Sequence, residues 1–423
     1  ANPWFMTIFG IVIIAIFSGI GALGTRQTGY LLHIIFWIPA AILVLVYGVF
    51  LLASPANMEA GTQLFTGHAA SEYTQAALAQ GMTSSGSYWS AVFTASFYAY
   101  WAYIGYAAAT FVAGEVKDAS KSLPRAILIS GLIIMGIYMT ISFLLARAGS
   151  MAGVDAATGF SLVDAVGYLG QGAGSYADAG LTSIGAWMPT FAGLVAYGQF
   201  GAAGGQLFGW LLLAFGALWV ANDIPPFLLT CSRMMFAMGF DRILPEWVAD
   251  INEKWHSPVN AIIVTSVAAL LGVVAEADLF GAAGLNIAFL HHPFGQEWIT
   301  PSGAVVATDM WDALFFIGVA LACALFPSRM PEVFERAPWR QSKTTVQVLA
   351  WLAVAANVLL AAGITFMPNG WGFGPLTGNW FSVPFWFTVV LIVISALVYF
   401  WGRSRAQRAG ADLTTIFAEI PPE

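Results

Sequence analysis

Charge is what this sequence has least of. Asp, Glu, Lys and Arg together make up 9% of its 423 residues, against 59% hydrophobic residues and a mean hydropathy of +0.77. A water-facing globular surface needs about a quarter of its residues charged, so a soluble domain is excluded and lipid is the solvent of most of the chain. Cysteine is almost as scarce. Cys231 and Cys323 both fall inside apolar runs, which leaves no support for a disulfide framework or a cysteine metal cluster. No nucleotide-binding glycine-rich loop, catalytic triad or pair of histidines at helical spacing is found, so enzymatic chemistry is not expected. Nor is a nucleic-acid partner expected, or a cofactor beyond a coupling ion. The chain opens on Ala1, with no basic segment and cleavage site ahead of the first apolar run, and it is expected to begin partway into a longer protein.

Apolar runs near the ~20 residues that cross a bilayer as helix lie at about 3–23, 30–54, 88–113, 126–148, 206–235, 259–280, 309–326, 345–366 and 382–401. Isolated strands in lipid would leave their backbone groups unpaired, and barrel strands would be shorter and alternate in polarity, so these nine are read as helices. The basic residues then fall in alternate connections: Arg26; Lys117, Lys121 and Arg125; Arg233, Arg242 and Lys254; Arg329, Arg336, Arg340 and Lys343; Arg403, Arg405 and Arg408. The opposite connections, roughly 55–87, 149–205, 281–308 and 367–381, have no Lys or Arg, with Arg147 at a helix end as the exception. Positive residues stay inside, so the C-terminus is expected in the cytoplasm, residue 1 outside, and an odd number of helices is expected to precede it. The external connections 55–87 and 149–205 are rich in Gly, Ala and Ser and read either as lid-like loops or as short surface helices. At 241–258, Leu244, Trp247, Val248, Ile251 and Trp255 alternate with acidic residues at helical spacing, which reads as a helix lying in the inner membrane interface.

Two stretches carry a resemblance. Tyr98-Ala99-Tyr100-Trp101-Ala102-Tyr103-Ile104-Gly105-Tyr106, with Glu115-Val116-Lys117 and Leu123-Pro124-Arg125 beyond it, resembles the sixth helix and following loop of the amino acid-polyamine-organocation transporter superfamily. Ser232-Arg233-Met234-Met235 through Ile243-Leu244-Pro245 to Pro258-Val259-Asn260-Ala261 is similar to the end of its eighth helix and the next loop. The opening Asn2-Pro3-Trp4, Gly24-Thr25-Arg26 and the tail Ile420-Pro421-Pro422-Glu423 add weaker matches. On that mapping the nine runs are helices four to twelve and the first three are missing, in agreement with the charge pattern. The resemblance implies an all-α integral membrane protein with the LeuT-like fold, an inverted repeat of five plus five helices and two extra, whose substrate lies near the midplane between broken helices.

Within 88–113, Gly105 sits among aromatic residues. A mid-helix glycine loosens the backbone by roughly 1 kcal/mol relative to alanine, and irregular backbone at membrane depth is tolerated only where it lines protein or a cavity. Gly105 therefore marks a candidate break, and Trp101 lies on the same helix face one turn earlier. The resemblance places Tyr100, Trp101, Tyr103, Ile104, Gly105 and, from the later helix, Phe227 at the substrate. Where cationic amino-acid exchangers carry an acidic residue two places after the glycine, this chain has Ala107. The competing reading of the aromatics is packing or an interface belt.

Asn222-Asp223-Ile224-Pro225-Pro226 puts a carboxylate inside an apolar run, which costs several kcal/mol unless it is paired or protonated. The two prolines lack N–H donors, so the carbonyls of Ala221 and Asn222 lose their helical partners. Carbonyls, an amide and a carboxylate within one turn suit Na⁺ or a titrating proton. The resemblance places Asn222, Asp223, Thr230 and Ser232 on the coupling-cation side, and the desolvation of a carboxylate in an apolar run makes Asp223 the expected proton carrier. The lysine that some proton-coupled members supply from helix five is absent from Phe36-Trp37-Ile38-Pro39-Ala40. A purely structural hydrogen bond for Asp223 stays open as an alternative. His33 as a relay, and His291-His292 with Asp309 and Asp312 as a metal site, are weaker readings, since adjacent histidines do not share a helix face.

These observations predict a secondary active transporter in a prokaryotic plasma membrane, moving an amino acid or related amine by alternating access coupled to H⁺ or Na⁺. A transport-inactive membrane scaffold or subunit is the alternative. Lipid surrounds either one, and a homo-oligomer or a larger membrane complex is compatible with both.

Overall fold

The computed structural model describes residues 2–84, 88–101, 105, 108–170, 173–185, 188–277, 279–283, 301–336, 341–366 and 383–410. Among the described residues the chain is helical and has no strand, only an isolated bridge between Asn252 and Ser257. In order, the helices are α1 (Pro3–Ala22), α2 (Thr25–Leu51), α3 (Pro55–Thr66), α4 (Ala70–Ala79), α5 (Tyr88–Trp101), α6 (Ala119–Gly149), α7 (Leu162–Gly170) and α8 (Met188–Ala221). They continue with α9 (Ile224–Phe240), α10 (Val259–Glu276), the single turn α11 (Leu279–Ala282), α12 (Pro301–Arg329), α13 (Pro331–Arg336), α14 (Lys343–Phe366) and α15 (Val383–Arg408). Three-residue-per-turn helices occupy Ala108–Glu115 and Glu246–Ala249.

Seven described segments are long and apolar enough to cross a membrane: Pro3–Ala22, Thr25–Leu51, Ala119–Gly149, Met188–Phe240, Thr308–Arg329, Lys343–Phe366 and Thr388–Arg408. Of the other apolar runs, 259–280 forms α10, in which Val259–Val274 is the apolar part. The run at 88–113 is divided into α5 and the Ala108–Glu115 helix. The helix starts follow local chemistry. Asn2 caps α1, its side chain accepting the Trp4 N–H at 3.0 Å ahead of Pro3, and Ser54 does the same for α3 through Asn57.

The described chain falls into two compact units. One comprises 1–28, 87–127 and 225–423, the other 29–86 and 128–224. In the second, the connections expected to be external are packed helices rather than open lids. α3 lies against α8, and α4 against α7, over a core that includes Phe50, Met58, Tyr73, Leu162, Ile184, Phe191 and Leu194, all essentially inaccessible. α3 and α8 approach backbone to backbone: a methyl group on Gly61 would collide with the Leu194 carbonyl, and one on Gly198 with that of Asn57. Tyrosines pin the loops to this core. Tyr73 Oη donates to the Thr182 carbonyl at 2.8 Å, Tyr176 Oη to that of Ile184 at 2.7 Å, and Tyr168 Oη to that of Gln80 at 2.8 Å. The Gln80 amide in turn accepts from Ser175 N at 2.7 Å and donates to the Ser175 carbonyl at 2.9 Å, a two-point clasp. Gly201, at φ +70°, interrupts α8 beyond this packed region.

In the first unit α1 lies along α10, with Ser18 and Ser266 hydroxyls 2.7 Å apart, and α12 is flanked by α5, α14 and α15. The connections that carry the basic residues meet one another. Ser257 Oγ donates to the Ala22 carbonyl at 2.6 Å, Arg405 donates to the Leu244 carbonyl at 2.7 Å, and Gln347 donates to Ser328 Oγ at 3.0 Å. The amphipathic pattern over 241–258 forms no continuous helix. The chain there makes the short Glu246–Ala249 turn between Arg242 and His256, both at positive φ, and the Asn252–Ser257 bridge. Pro245 has no N–H to give and caps the turn, and Asn252 Oδ1 accepts from Lys254 and Trp255 N–H, so local side-chain bonds compete with the helix.

Candidate functional site

The sequence-predicted breaks at Gly105 and at Asn222-Asp223 are breaks in the structure. α5 is described to Trp101, Gly105 adopts φ +100°, and the described residues from Ala108 form the tighter helix. That φ lies in the region favouring glycine, and a Cβ there would meet no neighbouring atom, so it is the backbone conformation and not packing that asks for glycine. Tyr103 and Ile104 lie outside the described residues, and Trp101 is described as the last residue of α5 without its side chain. His291 and His292 also lie outside them. Among the described residues no three metal-ligating side chains gather.

Tyr100 is placed more firmly. Its hydroxyl donates to Asp312 Oδ2 at 2.8 Å, joining the end of α5 to α12. Asp312 and Asp309 sit on one face of α12, three residues apart. The sequence offered Asp309 and Asp312 only as companions of His291-His292 in a weak metal site; the bond to Tyr100 and the burial of Asp309 come from the structure. The signal available in the sequence was two carboxylates at helical spacing entering the apolar run 309–326.

The second break is a turn of two residues. α8 ends at Ala221, the N–H of Asn222 bonds the carbonyls of Leu218 and Trp219, and the N–H of Asp223 bonds that of Val220 at 3.1 Å. Pro225 and Pro226 then occupy the first turn of α9, where their missing donors cost nothing. Asn222 is half-buried, and its Oδ1 is buried with no hydrogen-bond partner among the described residues. Asp223 is exposed, at the open end of the turn. An orphaned amide oxygen beside a carboxylate at the end of a helix, where carbonyls also point outward, is a set of acceptors without donors. Such a set favours a cation. Phe36 of α2 packs near Trp219, ring centroids 6.5 Å apart, and Trp219 stacks on Phe215 at 5.4 Å. The helix-five segment thus comes within a turn of Asp223, and it brings aromatic rings there and no lysine.

Thr230, Ser232 and Phe227 belong to α9, in the other compact unit. Ser232 is fully buried and donates to the Leu229 carbonyl at 3.0 Å, whereas the Thr230 hydroxyl is buried with no partner among the described residues. Phe227 is half exposed. His33 lies on an exposed face of α2.

Comparison with known proteins gives this architecture a family. The model of the family described as amino acid permease matches residues 1–397. A relative of known description, the branched-chain amino acid permease BcaP of Bacillus subtilis (strain 168), is 28% identical over 191 residues, which is 44% of this chain and 33% of that protein. The matched region thus spans about a third of the relative's length.

Proposed function

The chain belongs to the amino acid permease family, and we propose that it works as the membrane-spanning part of a secondary transporter for an amino acid or related amine. Its described helices are those of a multi-pass membrane protein. The observation that carries the proposal is the pair of helix breaks, at Gly105 and at Asn222-Asp223, each placed inside a long apolar run. Broken helices free backbone groups at membrane depth, and such groups are stable only where they face a cavity or a polar ligand. Substrate is bound around the first break by Tyr100, Trp101, Tyr103, Ile104 and Gly105, with Phe227 as an apolar wall. The chemistry is noncovalent.

Coupling runs through the second break, where Asp223 carries the proton or Na⁺ takes the acceptors of Asn222 and Asp223, and through Thr230 and Ser232 of α9 in the other unit. The orphaned oxygens of Asn222 and Thr230 support this reading. The relative named as a branched-chain permease points to apolar amino acids, in keeping with Ala107 in place of an acidic residue. The chain sits in a prokaryotic cell membrane with its C-terminus inside. The meeting of Ala22 with Ser257, Leu244 with Arg405, and Ser328 with Gln347 supports that orientation, because it gathers the basic connections of one unit in pairs.

The test is uptake of radiolabelled amino acids into proteoliposomes under imposed H⁺ or Na⁺ gradients, with Asp223→Asn beside the wild type. Uptake that follows the pH gradient in the wild type and loses that dependence in Asp223→Asn is the expected result. Gradient dependence unchanged in Asp223→Asn would remove Asp223 from coupling.

A further inference from the structure

Asp309 is the most completely buried acidic side chain described, with no accessible surface, and neither of its carboxylate oxygens has a hydrogen-bond partner among the described residues. It stands at the start of the membrane-crossing part of α12. One turn further on, Asp312 is half-buried and accepts the Tyr100 hydroxyl at 2.8 Å. Tyr100 is the last residue but one of α5, directly before the break at Gly105. The bond thus joins Asp312 to the α5 residue five positions ahead of Gly105.

Among the described residues, no cation on the flanking elements answers these two carboxylates; the Ala108–Glu115 helix, which meets α12 where the Phe111 and Phe315 rings lie 6.4 Å apart, carries Glu115 and no basic residue. α5 brings only tyrosines, Tyr88, Tyr98 and Tyr100. α14 has one ionisable residue, Lys343, at its start, where Gln347 meets Ala324 and Ser328 at the far end of α12. That contact is roughly 29 Å along the helix from Asp309. α15 has Tyr399, Arg403, Arg405 and Arg408 toward its C-terminus, where Arg405 binds the Leu244 carbonyl, while its Thr388 takes the Trp311 indole N–H. α13, with Glu332, Glu335 and Arg336, and Arg329 itself lie beyond the far end of α12.

An ionised carboxylate cannot be held dry and unpaired without a cost of several kcal/mol, and two carboxylates one turn apart oppose each other's ionisation. Three occupants would cure this. A hard cation such as Ca²⁺ or Mg²⁺ needs about six oxygen ligands, more than Asp309, Asp312 and the Tyr100 hydroxyl supply, and among the described residues no third metal-ligating side chain joins them. A substrate ammonium needs an opening, and Asp309 has none. A proton needs one oxygen and removes the charge outright. The geometry points to Asp309 and Asp312, steadied by Tyr100, as an occluded proton-binding pair beside the α5 break, distinct from Asp223. In this arrangement the proton sits on Asp309, and Asp312 keeps its charge against the Tyr100 hydroxyl. Movement of α5 that withdrew Tyr100 would pass the proton's best position from Asp309 to Asp312. Only its use in driving transport rests on the permease reading.

The experiment is an infrared pH titration of the purified full-length protein, reading the C=O stretch of protonated carboxyl groups, for wild type, Asp309→Asn, Tyr100→Phe and Asp223→Asn. Thermal unfolding of each variant checks that it is folded. The expected result is a protonated-carboxyl band at neutral pH that disappears on alkaline titration, is missing in Asp309→Asn, persists in Asp223→Asn, and titrates at a shifted pH in Tyr100→Phe. A band and titration unchanged in folded Asp309→Asn would overturn the proposal, as would radioactive-sodium binding lost in that variant with the band intact. Should Asp309→Asn fail to fold, an unshifted titration in Tyr100→Phe overturns it. Wild-type protein showing the band but no amino-acid exchange would leave the proton pair standing and remove the permease reading.

Discussion

Tyr176 shows how a single hydroxyl can hold a connection in place. Its bond to the Ile184 carbonyl closes the segment between α7 and α8, and burial pushes its ionisation up to about 12, with Tyr73 raised for the same reason. A phenol held neutral in the folded state favours folding fully below about pH 10, its unfolded value. That contribution is lost as pH rises from there through about 12. Unfolding temperature is therefore expected to be flat to about pH 10 and to fall above it, and Tyr176→Phe is expected to flatten the fall while losing about 1 kcal/mol at neutral pH for the missing bond. A tyrosinate absorbance titration alongside the melts checks both. At Gly105 the backbone itself is the constraint. Alanine at φ +100° is strained by roughly 1–3 kcal/mol, so Gly105→Ala is expected to favour straight helix from α5 onward and to lower amino-acid uptake more than it lowers melting temperature.

At the scale of elements, the contact between α3 and α8 is the most exacting. Gly61 and Gly198 meet backbone carbonyls of the opposing helix, and backbone cannot rotate aside as a side chain can. Gly61→Ala and Gly198→Ala are each expected to destabilise the protein by about 3 kcal/mol, the upper range for overpacking. The double variant should cost less than the sum, because the first substitution already parts the helices. Differential unfolding in detergent measures this, and a loss under half that size would mean the helices are less close than described. The elements also show what sequence can and cannot reveal. Hydropathy marked α1, α2, α6, α12, α14 and α15, because lipid demands long apolar helices. Gly105 and the Asn222-Asp223-Pro225-Pro226 cluster marked breaks, because glycine and proline act on the backbone where they stand. The helices α3, α4 and α7 were open to two readings, since their helical form depends on tertiary packing, α3 against α8 and α4 against α7, that no local pattern encodes. The stretch 241–258 had helical periodicity, and Pro245, Asn252 and the positive-φ residues at 242 and 256 outweighed it. The pairing of Asp312 with Tyr100 is illegible in sequence for a related reason: the two stand over two hundred positions apart.

For the whole molecule, the two units divide the chemistry. Asn222 and Asp223 belong to one, and Tyr100, Asp309, Asp312, Thr230 and Ser232 to the other. The chain passes between them at residues 28, 86, 127 and 224, so the second break is also a crossing point. The proposed alternating access needs backbone that can change conformation, and the Asn222-Asp223 turn breaks the helical hydrogen bonding between α8 and α9. Replacing Asp223 with Asn keeps the turn and removes the charge, so gradient coupling is expected to fail while exchange of substrate for substrate continues. Replacing Pro225 and Pro226 with Ala removes the rings that keep α8 from running on into α9 and is expected to slow exchange itself.

The central claim is that this protein carries amino acids across a membrane, and counterflow in proteoliposomes tests it without assuming any coupling ion. Vesicles holding the full-length protein are loaded with unlabelled amino acids and diluted into the same compounds in radioactive form, with leucine, isoleucine and valine measured separately from charged and aromatic ones. Transient accumulation of label in vesicles loaded with the apolar amino acids, absent from protein-free vesicles, is the predicted result. No accumulation of any amino acid by protein shown to be folded would contradict the account.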